Sequence, residues 1–332
     1  MSIADGNYYH FEQIAYDYFI QRLFPGRFPA SSGNFFTISE TFLVSWLAKR
    51  QLLAIIEGAS YLGGSMSTQH FTPEISDDLV RLHEQYLVPA IYAQWAARVA
   101  DIAEIDLGHH VLDVACGTGT LARAAQLETG LSGKITGLDS NERMLESARE
   151  KSRGINWQLG DATAMPFEKN QFDRVMCQFA LMFISNRVAT IKEMLRVCKP
   201  DGLVVLATWG PLQHAGAYAA LINLVRDNLG PVAAQKLSAP WALGKPGAMD
   251  ALLLSSGVNE YECHQRVGQA SYPSMRAFVE SHLRLAGEFD TLSEQSLTEI
   301  YAAADSQLHS FLSPSGQVVS QLNANIFTVK DE

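Results

Sequence analysis

The sequence predicts an α/β fold: a doubly wound, mostly parallel sheet with helices on both faces. Three observations predict it. Short apolar runs alternate with helical patterns between residues 111 and 208. The run at 111–115 turns sharply through Gly117 and Gly119 and passes into a helical pattern in which Leu121, Ala122 and Ala125 are apolar. The run at 203–208 is rich in Val and Leu, as a strand buried on both faces requires.

The elements follow in order. Residues 1–66 are aromatic-rich, with turn signals at Pro25-Gly26 and Ser31-Ser32-Gly33. Within them, 41–61 carries a helical stripe of Leu43, Leu47, Leu52, Ile55 and Ile56, and Gly63-Gly64-Ser65 reads as a linker. This segment is expected to be a helical extension that serves as a lid or as a homodimer contact. Residues 67–332 are expected to form the main domain. A helix is expected over 74–105, then strands at 111–115, 135–138, 155–159, 174–178 and 203–208. Ile191, Met194, Leu195 and Cys198 fall at i, i+3, i+4 and i+7, which makes that segment an amphipathic helix. The run at 323–330 is a strand with no helix after it. Two insertions, 211–245 with a helix at 217–229 and 274–313, are expected to fold over the carboxyl edge of the sheet. That edge is where open α/β sheets bind ligands.

Composition bounds the function. The chain has 332 residues, 47% of them hydrophobic and 18% charged, so it can bury a sizeable core. A formal net charge of −10 with no basic run argues against a nucleic-acid partner. The most apolar early stretch, 42–56, is interrupted by Lys49 and Arg50 and is too short to span a bilayer. No secretory signal pattern opens the sequence, and the four cysteines, Cys116, Cys177, Cys198 and Cys263, have neither zinc-ligand nor redox spacing. Buried thiols in a cytoplasmic protein are the expectation.

Gly117-x-Gly119-x-x-Ala122 with Asp139 satisfies the dinucleotide fingerprint, so a nicotinamide-dependent oxidoreductase is one reading of the turn. Other residues point elsewhere. Asp113 stands inside the first strand, where a dinucleotide strand is apolar. Gly160-Asp161-Ala162 ends the third strand and is followed by Met165-Pro166-Phe167. Gln171-Phe-Asp-Arg-Val-Met176 opens the fourth, and Lys199-Pro-Asp-Gly202 leads into the fifth. Together these motifs resemble the class I S-adenosylmethionine-dependent methyltransferases, a Rossmann-like family, and within it the small-molecule enzymes related to the ubiquinone and menaquinone C-methyltransferases. The resemblance runs from Tyr86 to the C-terminus and is specific between 111 and 209.

It implies a sheet of seven strands with the last strand antiparallel, S-adenosylmethionine as cofactor, and a small, largely apolar acceptor, aromatic or polyketide-like, methylated on oxygen or carbon. The turn Ala115-Cys116-Gly117 with Gly119 would meet the methionine end, and Asp113 would orient the turn or meet the amino group. Asp139 would hold the ribose diol, with Ser140 and Met144 beside it. Asp161 and Ala162 would take the adenine, Gln178 would lie under the sulfonium, and Tyr86 and Trp95 would face cofactor and acceptor. Each has a structural alternative. Asp113 can accept turn N–H bonds, Asp139 or Ser140 can cap a helix, Asp161 can stabilise a turn, and Tyr86 and Trp95 can be core. The acceptor pocket is expected to be apolar, near Phe179, Trp209, Met182, Phe183, Tyr218, Trp241 and Phe278. His214 at its wall is the first base candidate, with His282 and Tyr218 behind it. No His, Asp and Glu cluster suggests a metal. A non-catalytic protein that keeps the cofactor fold is the third reading.

Overall fold

Residues 76–330 are described by a computed structural model. The helix expected at 41–61, the linker at 63–65 and the lid or dimer role of 1–66 lie outside the described residues.

The helix expected over 74–105 is a composite. Ser76 caps α1 (Asp77–Leu82) by accepting from the Leu79 N–H. The middle is a π-helix, His83–Tyr92, and α2 (Ala93–Ile102) completes it. Pro89 lies inside the π segment, where its missing N–H and its ring are incompatible with a regular α-helical ladder. Residues four apart in this composite, Leu79, His83, Leu87 and Ile91, all line one cavity.

The sheet follows in alternation with helices. β1 (His110–Val114) leads to α3 (Thr120–Thr129), β2 (Lys134–Asp139) to α4 (Glu142–Lys151), and β3 (Ile155–Leu159) to β4 (Phe172–Gln178). After β4 come α5 (Arg187–Val197) and β5 (Cys198–Trp209). β5 starts earlier than its apolar run, because the Lys199-Pro-Asp-Gly202 turn is absorbed into the strand. The β4–β5 register shifts there, from Phe172 opposite Cys198 to Arg174 opposite Leu203. The chain then forms α6 (Gly216–Leu229), α7 (Pro231–Ser238), α8 (Ala248–Ser255), β6 (Glu262–Tyr272), α9 (Met275–Leu285), α10 (Glu294–Gln307) and β7 (Val318–Lys330).

The seven strands lie in the order β3-β2-β1-β4-β5-β7-β6. β1 to β5 are mutually parallel, and β7 runs antiparallel to both β5 and β6. The core is the sheet's central strands with the helices packed on them. Val111, Leu112 and Val114 of β1 and Val205 and Leu206 of β5 are fully buried, as strands covered on both faces must be. Cys116, Cys177 and Cys198 are buried as expected, whereas Cys263, on the edge strand β6, is exposed. Among the described residues no helix is long and apolar enough to cross a membrane.

The order in which strands are added changes side between β1 and β4, since β1 feeds β2 on one side and β4 feeds β5 on the other. Such a switch point leaves a crevice beyond the carboxyl ends of the two strands. Both strands leave the sheet there through a non-glycine residue in the left-handed region, Ala115 at φ 55° and Phe179 at φ 51°. L-residues pay roughly 1–2 kcal/mol for that conformation, so surrounding contacts must impose it.

Candidate active site

The crevice opens into a cavity of about 400 Å³. At one end stands the glycine turn. Gly119 is the N-cap position of α3, in the left-handed conformation and without a capping side chain. The cap comes from the sheet instead: Asp113 Oδ2 accepts the Ala122 N–H at 2.9 Å. Asp139, at the end of β2, ties the turn from the other side. Its Oδ2 accepts the Gly117 N–H at 2.8 Å and its Oδ1 accepts the Asn141 N–H at 2.9 Å. Neither Asp139 nor Ser140 is the side-chain cap of α4; Asn141 is, through the Met144 N–H.

The glycines are required for different reasons. A Cβ on Gly117 would meet nothing within 4 Å, and only its φ of +54° favours glycine, so the space beside it belongs to the cavity. A Cβ on Gly119 would lie 2.2 Å from the Trp157 ring, and one on Gly137 in β2 would lie 2.5 Å from the same ring. The indole of β3 therefore packs against the turn and β2 through two bare glycines. The sequence offered no signal for Trp157 or Gly137, because their meeting depends on strand register.

Burial makes ionisation of the two carboxyl groups at this end costly, a cost that a bound positive charge would offset. Burial raises Asp113 to about 8, the Ala122 N–H opposing it and the nearby Asp139 adding to it. Burial also raises Asp139, against the backbone donors of Asn141 and Gly117. Among the described residues the two carboxylates receive only backbone N–H bonds, so neither is neutralised by a paired side chain. Ala115, Cys116, Ser140 and Met144 line the same end. Gln178 lies deeper, donating through Nε2 to the Tyr92 carbonyl at 3.4 Å, while its Oε1 is buried without a hydrogen-bond partner.

The other end is aromatic. Phe179 stacks on Trp209 with ring centroids 3.5 Å apart and planes 8° off parallel. This stack, with Trp95 edge-on to both rings, holds Phe179 in its left-handed conformation. Tyr218 of α6 packs against Trp241 and His282, and Tyr92 stacks on His83. Both 211–245 and 274–313 reach the cavity, through Tyr218, Lys236 and Trp241 and through His282, Leu285 and Ala286. The charge on Lys236 is paired with Glu288 at 2.6 Å. Burial lowers both His83 and His282 to about 4, so both rings are neutral at pH 7. Nδ1 of His83 is buried without a partner.

The sheet order decides between the two readings of the glycine turn. A dinucleotide fold carries the order 3-2-1-4-5-6 in a mostly parallel sheet, with no strand inserted between the fifth and sixth. Here an antiparallel β7 is inserted between β5 and β6. A family model described as a methyltransferase domain matches residues 111–202, the stretch from β1 into β5. The chain carries a methyltransferase domain over residues 111–202. Demethylmenaquinone methyltransferases of Staphylococcus aureus, from strains MRSA252 and JH9, are 41% identical to it over 114 residues. The match covers 33% of this chain and 47% of theirs, so the chain spans about half the length of the curated relatives it matches. Among solved structures, the YcgJ protein of Bacillus subtilis is 19% identical, with 72% of this chain and 99% of that one covered and a TM-score of 0.47. A putative methyltransferase of Bacillus halodurans is also 19% identical, with 71% and 98% covered and a TM-score of 0.47.

Within the methyltransferase domain the expected site residues divide. Asp113, Ala115, Cys116, Gly117, Asp139, Ser140, Met144 and Gln178 converge on the cavity. Gly119 shapes the turn from behind. Asp161 is exposed at a turn, its Oδ1 accepting the Thr163 N–H at 2.7 Å, and neither it nor Ala162 lines the cavity. Tyr86 faces away, its hydroxyl accepting from Gln85, because it falls off the four-residue stripe of the π-helix. Trp95 stays on that stripe but is fully buried, edge-on to Phe179 and Trp209, which stand between it and the cavity. Met182 and Phe278 are core. His214 needs correction as a wall of the acceptor pocket. The short turn Leu212–His214 directs it to a separate, open depression shared with Phe311 and Gln321. The chain leaves β5 past Trp209 and Gly210, and the space over the strand ends is already filled by Tyr218 and Trp241. Tyr92, an aromatic of the same predicted helix as Tyr86 and Trp95, does line the cavity, whereas His83 and the Lys236–Glu288 pair were not singled out in the sequence, because single polar residues on helices give no pattern.

Proposed function

We propose that this protein transfers a methyl group from S-adenosylmethionine to oxygen or carbon of a small, largely apolar acceptor. One observation carries the reading: a single cavity joins an acidic, backbone-built end at the glycine turn to an aromatic end. The residues present fit the cofactor. Two buried carboxyl groups that lack a paired side chain suit a cation and an amine, whose charge would help to ionise them, and the open space at Gly117 lets the ligand approach the backbone.

Asp113 and the backbone of Ala115, Cys116 and Gly117 would hold the methionine end. Asp139 would meet the ribose diol through the second lone pairs of its oxygens, with Ser140 and Met144 beside it. Asp161 keeps Oδ2 without a hydrogen bond among the described residues, and with Ala162 it would meet the adenine. When bound, the cofactor supplies an electrophilic methyl group on a sulfonium that leaves as a neutral thioether. What the chain supplies is alignment. Gln178, Phe179 and Trp209 stand at the junction of the two ends, and the aromatic walls exclude water and orient a flat acceptor. The matched relatives are named for demethylmenaquinone, whose methylation is consistent with an apolar ring as acceptor.

Calorimetric titration with S-adenosylhomocysteine and with NADH tests the reading. Micromolar binding of the first and none of the second is expected. Binding of NADH alone would replace a methyltransferase with an oxidoreductase.

A further inference from the structure

One ring at the aromatic end is oriented by the backbone and carries an unused lone pair. His282 Nδ1 lies 2.7 Å from the Phe278 carbonyl oxygen, one turn back on α9. A carbonyl only accepts, so Nδ1 carries the proton and Nε2 of the neutral imidazole is an acceptor. Ser281 Oγ, which donates to the same carbonyl, lies 3.3 Å from Nδ1 and supports the same tautomer. Nε2 makes no hydrogen bond among the described residues, and the ring lines the cavity. The contacts that fix it are aromatic: Tyr218 at 5.1 Å, Tyr272 at 5.5 Å and Phe278 at 4.8 Å between centroids. The two tyrosine hydroxyls pair with each other at 3.3 Å. The ring thus has a fixed tautomer, a fixed plane and one basic atom left over.

We propose that His282 is a catalytic residue and that the acceptor is a hydroxylated planar ring, a phenol or an enol, whose O–H is presented to Nε2. This rests on the methyl-transfer reading above. In the proton step the acceptor's O–H bond breaks and the proton passes to Nε2. The bonding pair stays on the acceptor, on oxygen for a phenol or delocalised to carbon for an enol, and His282 becomes an imidazolium.

The neutrality of the ring selects the acceptor. Burial lowers His282 to about 4, and the neighbouring groups do not reverse this. The hydroxyls of Tyr218 and Tyr272 are themselves raised by burial, and the Lys236 and Glu288 charges offset each other. On α9 itself Glu280 is paired with Arg284. A neutral hydroxyl already has a lone pair with which to react, and its proton becomes strongly acidic as the oxygen is alkylated, so a weak base suffices. An alkylammonium acceptor has no lone pair until it is deprotonated. With a lysine-like pKa near 10, that proton lies about six units beyond the reach of this imidazole.

The test uses the full chain, 1-naphthol and naphthalene, and 15N-labelled histidine. Without cofactor, the wild type is expected to bind 1-naphthol about 3- to 10-fold more tightly than naphthalene, the range of one net hydrogen bond. The His282 Nε2 resonance should shift with 1-naphthol and not with naphthalene. His282→Ala should erase the preference, and His282→Gln, whose amide oxygen accepts, should retain it. With S-adenosylmethionine, 1-naphthol should be methylated by the wild type and about 10²–10⁴-fold more slowly by His282→Gln. An unshifted Nε2, a preference that survives His282→Ala, equal turnover in His282→Gln or no turnover in the wild type would overturn the proposal. Failure of the wild type to bind S-adenosylhomocysteine would instead remove the methyl-transfer reading, and the naphthol measurements without cofactor are independent of it.

Discussion

The two ends of the cavity are built on different principles. The glycine-turn end is made of backbone at the carboxyl edges of β1 and β2, and its polar groups are already engaged: Asp113 holds Ala122, and Asp139 holds Gly117 and Asn141. The aromatic end is made of side chains from α6, α7, α9 and the π-helix, and its geometry comes from ring packing. The first end is rigid because removing a contact deforms the sheet edge. The second can change its shape by repacking. A domain with this division can keep one cofactor while its acceptor varies.

The largest expected effect lies at the first end. Gly119→Ala forces a Cβ to 2.2 Å from Trp157 and places alanine at φ 82°. Destabilisation of about 3 kcal/mol is expected in denaturant melts, with loss of S-adenosylhomocysteine binding. Adding Trp157→Ala should recover the steric part and leave roughly 1–2 kcal/mol of backbone strain. A double variant no better than the single one would mean that the indole is not the obstacle.

Asp139→Ala should weaken S-adenosylhomocysteine binding by about 1.5–3 kcal/mol, the scale of hydrogen bonds to a charged group. Calorimetry on the folded variant measures this directly. At the aromatic end, Trp241→Phe should lower naphthalene affinity about fourfold, the equivalent of roughly one buried methylene, and leave S-adenosylhomocysteine affinity unchanged. If both ligands weakened together, the two ends would not be separable.

The subtlest effect is in pH. Asp113 is raised to about 8 in the folded chain, so between its unfolded pKa and that value the folded state holds the extra proton. Stability therefore falls as pH rises from about 4 to 8. Asp113→Asn should flatten the decline in Tm between pH 5 and 8. A wild-type Tm that rises over this interval while the Asn variant stays level would contradict the assignment.

How legible each end was follows from the same division. The turn, Asp113 and Asp139 could be located in the sequence because consecutive residues of one strand and turn form that end. The five parallel strands and the last strand were legible from alternation and from the motifs at their ends, whereas β6, an edge strand of mixed polar residues, was given no range. Tyr86, Trp95 and His214 were placed less well. The π-helix around Pro89 shifts the face on which a residue emerges, Phe179 and Trp209 screen Trp95, and the turn after β5 directs His214 elsewhere. His282 ranked behind His214 as a base candidate in the sequence, because its Phe278 hydrogen bond and its tyrosine neighbours meet only through tertiary packing. Trp157 and its two glycines likewise depend on register, which no local pattern carries.

Hydrogen exchange with and without S-adenosylhomocysteine tests the division of the cavity most directly. Slowed exchange is expected at the amides of residues 115–119 and 139–144, with α6 and α7 little changed until an apolar acceptor such as 1-naphthol is added. Protection of α6 and α7 by S-adenosylhomocysteine alone, with the glycine turn unaffected, would contradict the account.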